Sequence, residues 1–443
     1  MDIQNNKLMS YWLFLAVSAV AIAGLYSIML VLLRTPILYD FIPYKDFFRS
    51  ALIVHVDLSV LVWFCAIQSA LIGLYFYSNI SLVMFILAAF GASMLAISPL
   101  YEGLPFMNNY VPILQNFLFA FGLALFACSV LINNVHFLYR FIISNIIKKL
   151  FDQNCFYALT SAMITLAAII CIYVAYYKLQ QTDHIVVFGA QDYFEKLFWG
   201  GGHILQFMYV QLMQFAWLIL YGRVSGKDLV QDKMLIFIAF INVALILPLL
   251  IISSKLDIAS VEYTLIFTIH MCYFAGISSS LLAVYLIFKM IKSNNLDYYC
   301  FEYAALVSSM VLFFSGGVMS FWINDSNTII PAHYHGSIIG ITIALMGLVY
   351  LYLTRLNFHF SKNRFIKLIP YFYCVGQMMH ITGLAVSGGY GALRKTPGEA
   401  LSAKATTALG FMGAGGLLAL IGGLLFVYIC YSAFFRKCFQ ESN

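Results

Sequence analysis

Residues 330–340 read IPAHYHGSIIG and place His333 and His335 within a long apolar run. A helix turns about 100° per residue, so side chains two positions apart point in nearly opposite directions. One predicted membrane helix therefore carries a histidine on each of two faces. Because ionisable groups within a membrane are costly and usually functional, the stretch indicates a site.

The composition assigns the chain to the polytopic α-helical membrane proteins. Of its 443 residues, 63% are hydrophobic and 9% are charged, with a mean hydropathy of +0.91. A soluble domain carries roughly 25% charged residues. The net charge of +6 is interpreted as membrane topology, with the lipid bilayer as partner and no nucleic acid. The nine cysteines form no CxxC, so neither a zinc ribbon nor a c-type haem attachment is indicated.

Twelve apolar runs near the spanning length predict twelve transmembrane helices in a single domain over residues 1–443. An even number of spans places both termini on one side, and most of the 24 Lys and Arg residues fall on that side, so both termini are predicted to be cytoplasmic. The glycine-rich run at 410–425 is interpreted as close helix packing. The predicted spans are 10–33, 49–77, 80–99, 111–134, 156–177, 197–222, 234–253, 262–288, 299–323, 330–354, 366–390 and 408–434.

Six of the nine histidines fall inside these spans, and the predicted topology places all six at one depth, in the outer part of the bilayer. A single membrane histidine is often an interhelical hydrogen-bonding residue. Six at one depth favour a metal site, because neutral imidazole is the commonest nitrogen ligand of haem iron and copper. The six are His55, His203, His270, His333, His335 and His380.

Two further features have two interpretations each. Arg394 and Lys395 follow the eleventh span at the same surface, where cations suit haem propionates or, alternatively, lipid headgroups. Asp57, two residues after His55, is either an interhelical hydrogen-bonding residue or a functional carboxylate.

These stretches resemble subunit I of the haem-copper oxidase superfamily, which includes cytochrome oxidases and nitric oxide reductases. The resemblance covers nearly the whole chain. It implies a low-spin haem held by His55 of ALIVHVDLSVLVWF and His335 of PAHYHGSIIGITIALMG, and a high-spin haem held by His333. It also implies that Arg394 and Lys395 of MMHITGLAVSGGYGALRKT bind propionates. Two haems are therefore expected, of a type that the ligands do not specify.

The copper site of that family is incomplete here. LFWGGGHILQF supplies the expected sixth-span histidine, His203, but the adjacent histidine pair expected on the seventh span is replaced by Ser253 and Ser254. His270, on the eighth span, either substitutes as a ligand or is a structural hydrogen-bonding residue. The tyrosine that many members carry four residues after the sixth-span histidine is here Phe207. Bound copper is therefore doubtful.

The resemblance implies the catalytic subunit of a respiratory terminal oxidase of the cytochrome c oxidase kind, in a bacterial inner or mitochondrial-type membrane. Other respiratory subunits would be its partners. Cytochrome c or quinol would donate electrons, and O2 would be reduced near His333, His203 and His270. Two alternatives stay open: a nitric oxide reductase, with NO as substrate, and a non-enzymatic bis-haem protein for electron transfer or gas binding that lacks copper.

Overall fold

The computed structural model describes residues 3–32, 44, 46–143, 153–181, 184–227, 233–324, 326–360, 365–393 and 402–441. Within these ranges nearly all of the chain is α-helical. A bilayer offers no water to the backbone N–H and C=O groups, and a helix pairs these groups within one segment. The helices are α1 (Ile3–Leu32), α2 (Phe47–Val56), α3 (Trp63–Tyr75), α4 (Asn79–Ile97), α5 (Phe117–Ile143), α6 (Gln153–Gln181), α7 (His184–Ser225), α8 (Lys233–Lys255), α9 (Val261–Phe274), α10 (Ile277–Ile291), α11 (Phe301–Met319), α12 (Ile329–Arg355), α13 (Ile369–Gly389) and α14 (Ala403–Glu441).

Eleven helical segments of the described residues are long and apolar enough to cross a membrane. The prediction of an α-helical multi-pass membrane protein is thereby confirmed. The helix α13, which matches the eleventh predicted span, is not among the eleven, because Gln377 and His380 reduce its hydropathy. The count of twelve spans and the cytoplasmic placement of the termini stay predictions.

Two predicted spans are interrupted. A π-helix over Asp57–Val62 separates α2 from α3 within the second span, and a break around Gly276 separates α9 from α10 within the eighth. Such π-helical turns are rare and occur frequently at functional sites. The π-helix begins two residues after His55.

The fourth predicted span begins too early. In place of a helix at residue 111, the chain forms an antiparallel hairpin in which β1 (Leu104–Phe106) pairs with β2 (Ile113–Gln115). The helix α5 starts only after Asn116, whose side-chain oxygen accepts the backbone N–H of Phe119 at 2.8 Å and caps the helix. The hairpin loop therefore holds residues 107–112 in a fixed turn between two membrane helices.

The described residues group into two compact units. The first unit consists of Met1–Leu212 and Val230–Ser278, and the second of Met213–Leu229 and Ser279–Asn443. His55, His203 and His270 lie in the first unit, and His333 and His335 in the second. The prediction of one domain over residues 1–443 stays a prediction.

A buried chain of side-chain hydrogen bonds connects four residues of the first unit, each on a different helix. Ser278 donates to the Oδ1 of Asn242 at 2.5 Å, Asn242 donates to the Oε1 of Gln211 at 2.5 Å, and Gln211 donates to Thr160 at 2.8 Å. Every donor in this chain has an acceptor, as buried polar groups require. The chain joins α10, α8, α7 and α6.

Asn242→Ala is expected to reduce the free energy of unfolding by about 1–2 kcal/mol, because it removes two buried hydrogen bonds, one to Gln211 and one from Ser278. The measurement is thermal unfolding of the purified protein in detergent. Asn294→Ala, at an exposed position, is the control. Equal melting temperatures for the two variants would contradict a stabilising role for the chain.

Close glycine packing joins α13 and α14 in the second unit. A Cβ added at Gly415 would lie 2.6 Å from the carbonyl oxygen of Gly376 and 2.6 Å from the backbone nitrogen of His380. A Cβ added at Gly383 would lie 2.5 Å from the carbonyl oxygen of Ala408. These approaches are possible only without side chains. Within the 410–425 run, the packing interpretation agrees with the close contacts at Gly415 and Gly422, whereas nothing lies within 4 Å of a Cβ at Gly410 or Gly413.

Candidate functional site

The two histidines of α12 contact different neighbouring helices. The Nδ1 of His333 lies 2.8 Å from the carbonyl oxygen of Gly316 on α11. The ring of His335 meets the ring of His380 on α13, edge to face, with 5.0 Å between ring centroids. These contacts agree with the expectation that His333 and His335 point in nearly opposite directions. One helix presents one imidazole toward α11 and the other toward α13.

His380 is held in place from α14. Its Nδ1 lies 3.2 Å from the carbonyl oxygen of Met412, and its backbone nitrogen packs against Gly415. The sequence placed His380 in the histidine layer without a role. In the structure its ring packs against the ring of His335.

His55 is anchored on the neighbouring helix α1. Its Nδ1 lies 2.8 Å from the carbonyl oxygen of Ala23. Because a carbonyl oxygen only accepts, Nδ1 must carry the proton, and in a neutral imidazole Nε2 then carries the lone pair. No hydrogen bond from another described residue reaches this Nε2, and the side chain is half-buried. His333, with its Nδ1 on Gly316, has the same arrangement and a similar burial.

This arrangement fits a haem ligand. Metal-ligating histidines almost always donate their second ring nitrogen to a carbonyl or carboxylate, which fixes the tautomer and the ring orientation. His55 and His333 meet this condition through Ala23 and Gly316.

The two histidines lie in the less buried part of α12. His333 and His335 are half-buried, whereas residues 340–349 are all buried.

Asp57 is a buried carboxylate without a partner among the described residues. Its side chain is 1% exposed, and neither carboxylate oxygen accepts a hydrogen bond there. The interpretation of Asp57 as an interhelical hydrogen-bonding residue is therefore not supported. Its place at the first residue of the π-helix, next to the turn that carries His55, keeps the functional interpretation open.

His203 has both ring nitrogens in hydrogen bonds. Its Nδ1 lies 2.7 Å from the carbonyl oxygen of Trp199, so Nδ1 carries the proton. Its Nε2 therefore accepts, and the hydroxyl of Tyr110 donates to it at 2.9 Å. The side chain is 3% exposed and is surrounded by the rings of Tyr110, Trp199 and Phe267, with ring centroids 4.8, 5.0 and 5.6 Å away.

Tyr110 is the site residue that the sequence interpretation missed. It lies 93 positions before His203, on the loop of the hairpin, where Asn108 accepts its backbone N–H at 3.0 Å. The one local signal is the glycine triplet before His203. A Cβ at Gly202 would collide with the Tyr110 ring, so glycine at that position lets the ring reach the helix.

The seventh-span serines do not replace the expected histidine pair. Ser253 and Ser254 each donate to a carbonyl of their own helix, at 2.8 Å, as serines in membrane helices commonly do. The ammonium of Lys178 donates to the carbonyl oxygens of Ser253 and Leu256, at 2.9 and 2.7 Å, and thus covers the C-terminal end of α8.

His270 lies in the first unit on α9, three residues after Phe267, whose ring centroid is 5.6 Å from that of His203. Its ring stacks on Phe274, with 5.0 Å between centroids, and approaches Phe207 at 5.7 Å. Its Nδ1 is buried without a well-formed hydrogen bond, although the backbone of Leu245 lies alongside. Both interpretations of His270, as a ligand and as a structural hydrogen-bonding residue, therefore stay open.

The donor set does not fit a three-histidine copper ion. Among the described residues, no group of three or more His, Cys, Asp or Glu side chains lies close enough together to hold a metal ion. His203 and His270 offer two imidazoles, and neither belongs to such a group. Arg394 and Lys395 lie outside the described residues, so their expected role toward haem propionates stays a prediction.

Comparison with known proteins gives a fold and a family. The solved structure of a heme-copper terminal oxidase dimer superimposes with a TM-score of 0.73 at 14% sequence identity, covering 98% of this chain and 84% of that one. This likeness shows the haem-copper oxidase fold. No family model matches the sequence.

Two relatives align over most of the chain. An uncharacterized protein of Aquifex aeolicus (strain VF5) is 28% identical and covers 81% of this chain and 88% of its own length. An uncharacterized protein of Rickettsia prowazekii (strain Madrid E) is 32% identical over 496 residues of alignment, which cover 97% of this chain and 96% of the relative. The chain therefore belongs to the same family as this Rickettsia prowazekii protein.

Proposed function

We propose that the chain is a haem-binding membrane oxidoreductase that reduces a small gas, O2 in the first instance, with electrons from an external donor. The observation that carries the proposal is the shared anchoring of His55 and His333, each with Nδ1 on a backbone carbonyl at 2.8 Å and Nε2 directed away from it. The likeness of the fold to a heme-copper terminal oxidase supports it.

In this proposal His55 and His335 would hold a low-spin haem and His333 a high-spin haem. Bound haem iron would supply electron transfer and gas binding. The chain itself would fix the imidazoles. Ala23 and Gly316 keep the ligating nitrogens deprotonated, and His380 orients His335 through the ring contact. Arg394 and Lys395 would pair with propionates at the outer surface. Cytochrome c or quinol would be the donor, and other respiratory subunits the partners.

A second candidate is a non-enzymatic bis-haem protein. The observation that favours it is the engagement of both nitrogens of His203, which leaves this histidine without a free ligating atom. Under this candidate both haems bind, but neither O2 nor NO is consumed. Consumption of NO in preference to O2 would assign the chain to the nitric oxide reductases.

The test begins with the haem content and the carbon monoxide difference spectrum of the purified protein. About two haems per chain are expected, one of which reacts with carbon monoxide, because a five-coordinate iron keeps one face open. His333→Ala should remove the reactive haem and leave the other. A protein that binds no haem when expressed with a haem supply would overturn the proposal.

Gas consumption with an artificial electron donor then separates the candidates. An O2 consumption that His333→Ala abolishes supports the oxidase, and NO consumption supports the reductase. His359→Ala, an exposed histidine on the segment after α12, is the matched control and should retain both haems and activity.

A further inference from the structure

The hydroxyl of Tyr110 is hydrogen-bonded to the Nε2 of His203, the nitrogen through which this histidine would bind a metal. A neutral imidazole has one lone pair, and here it accepts the Tyr110 hydrogen bond at 2.9 Å. The other nitrogen cannot exchange roles with it, since Nδ1 donates to the Trp199 carbonyl at 2.7 Å, one helical turn earlier. A metal at His203 would have to displace the phenol.

Displacing the phenol is costly because Tyr110 is fixed from several sides. Asn108 accepts the backbone N–H of Tyr110, the Trp199 ring lies edge-on at 5.7 Å, and the ring packs directly on Gly202. A hydroxyl that left Nε2 would also become an unpaired polar group in apolar surroundings. The aromatic rings around His203 leave only 3% of this histidine exposed.

The remaining positions offer no compensation. The two serines at the expected histidine pair bond their own helix, and the described residues contain no group of three metal-ligating side chains. A hydroxyl is a poor ligand for copper compared with imidazole, and two imidazoles hold copper less tightly than three.

We propose that the copper position implied by the haem-copper oxidase fold is replaced in this chain by a metal-free Tyr110–His203 hydrogen bond, and that Tyr110 excludes copper from His203. This inference concerns the first unit alone and does not depend on whether haem is reduced by a donor. Tyr110 thus determines whether copper binds at His203.

The test compares copper binding by the full-length purified protein and four variants, of which His203→Ala alone removes the imidazole. Tyr110→Phe removes the hydroxyl and keeps the ring. Tyr110→Phe combined with His203→Ala also removes the imidazole. Tyr101→Phe, at an exposed tyrosine just before β1, is the matched control. Each is dialysed against Cu²⁺, copper and iron per chain are measured, and electron paramagnetic resonance reports nitrogen coupling to bound Cu²⁺.

Wild type and Tyr101→Phe should retain less than about one tenth of a copper per chain, whereas Tyr110→Phe should bind Cu²⁺ at least about tenfold more tightly and show nitrogen coupling. The double variant should lose that gain. Stoichiometric copper in the wild type that disappears in His203→Ala would overturn the proposal, as would an unchanged affinity in Tyr110→Phe. If Tyr110→Phe does not fold, the copper content of wild type and His203→Ala decides. Haem content from the same samples tests the proposed function separately.

Discussion

Replacing His55 or His335 with alanine is expected to abolish the six-coordinate, bis-imidazole spectrum of the proposed low-spin haem and to remove about one haem per chain, while the protein still inserts. Axial imidazole sets the low-spin state of the iron, and a methyl group cannot replace it. The anchoring of His55 on Ala23 and the contact of His335 with His380 indicate that both rings are held in one orientation. Each single substitution should therefore be sufficient.

The measurement is the reduced-minus-oxidised absorbance spectrum at low temperature, with haem quantified per chain and insertion followed in isolated membranes. His359→Ala should give the wild-type spectrum. The result to compare is His333→Ala, which should leave the low-spin bands intact and remove carbon monoxide binding. If both His55→Ala and His335→Ala keep the low-spin bands, the low-spin haem has other ligands and the assignment of this pair is wrong.

The divergence of His333 and His335 was predictable because it depends only on local geometry. A rotation of about 100° per residue separates the two side chains whatever they contact. The structure adds the contacts, Gly316 for one and His380 for the other, which no local rule supplies. The membrane class was equally predictable, since the composition excludes a soluble fold.

The partner of His203 was not predictable in the same way. Tyr110 and His203 are 93 residues apart, and the tyrosine arrives through a hairpin that replaces the first turns of a predicted helix. An apolar run from residue 111 resembles a membrane span, but Asn108 and Asn116 arrange the backbone as a turn and a helix cap. Short polar side chains that bond the backbone compete with helix in this way. Hydropathy does not register that competition.

The second large effect is expected at Gly415, where the packing of α13 on α14 bears on the site. A Cβ at this position would lie 2.5 Å from the Cβ of Met379 and 2.6 Å from the backbone nitrogen of His380. Neither atom is the end of a flexible side chain, so the collision can be relieved only by moving α13 away from α14. His380 would move with α13, and its ring contact with His335 would be lost. In the proposed function this contact orients His335.

Gly415→Leu is therefore expected to reduce the free energy of unfolding by about 3 kcal/mol and to broaden or remove the low-spin haem spectrum, because overpacking is accommodated by backbone shifts. Gly413→Leu is the matched control on the same helix, since nothing lies within 4 Å of a Cβ at Gly413. Thermal unfolding in detergent and the haem spectrum are measured on both. Destabilisation in both variants would point to a general intolerance of leucine in α14. If Gly415→Leu is destabilised but its low-spin spectrum is unchanged, His380 does not determine the orientation of His335. The ring contact would then result from helix packing and would not influence the haem ligand.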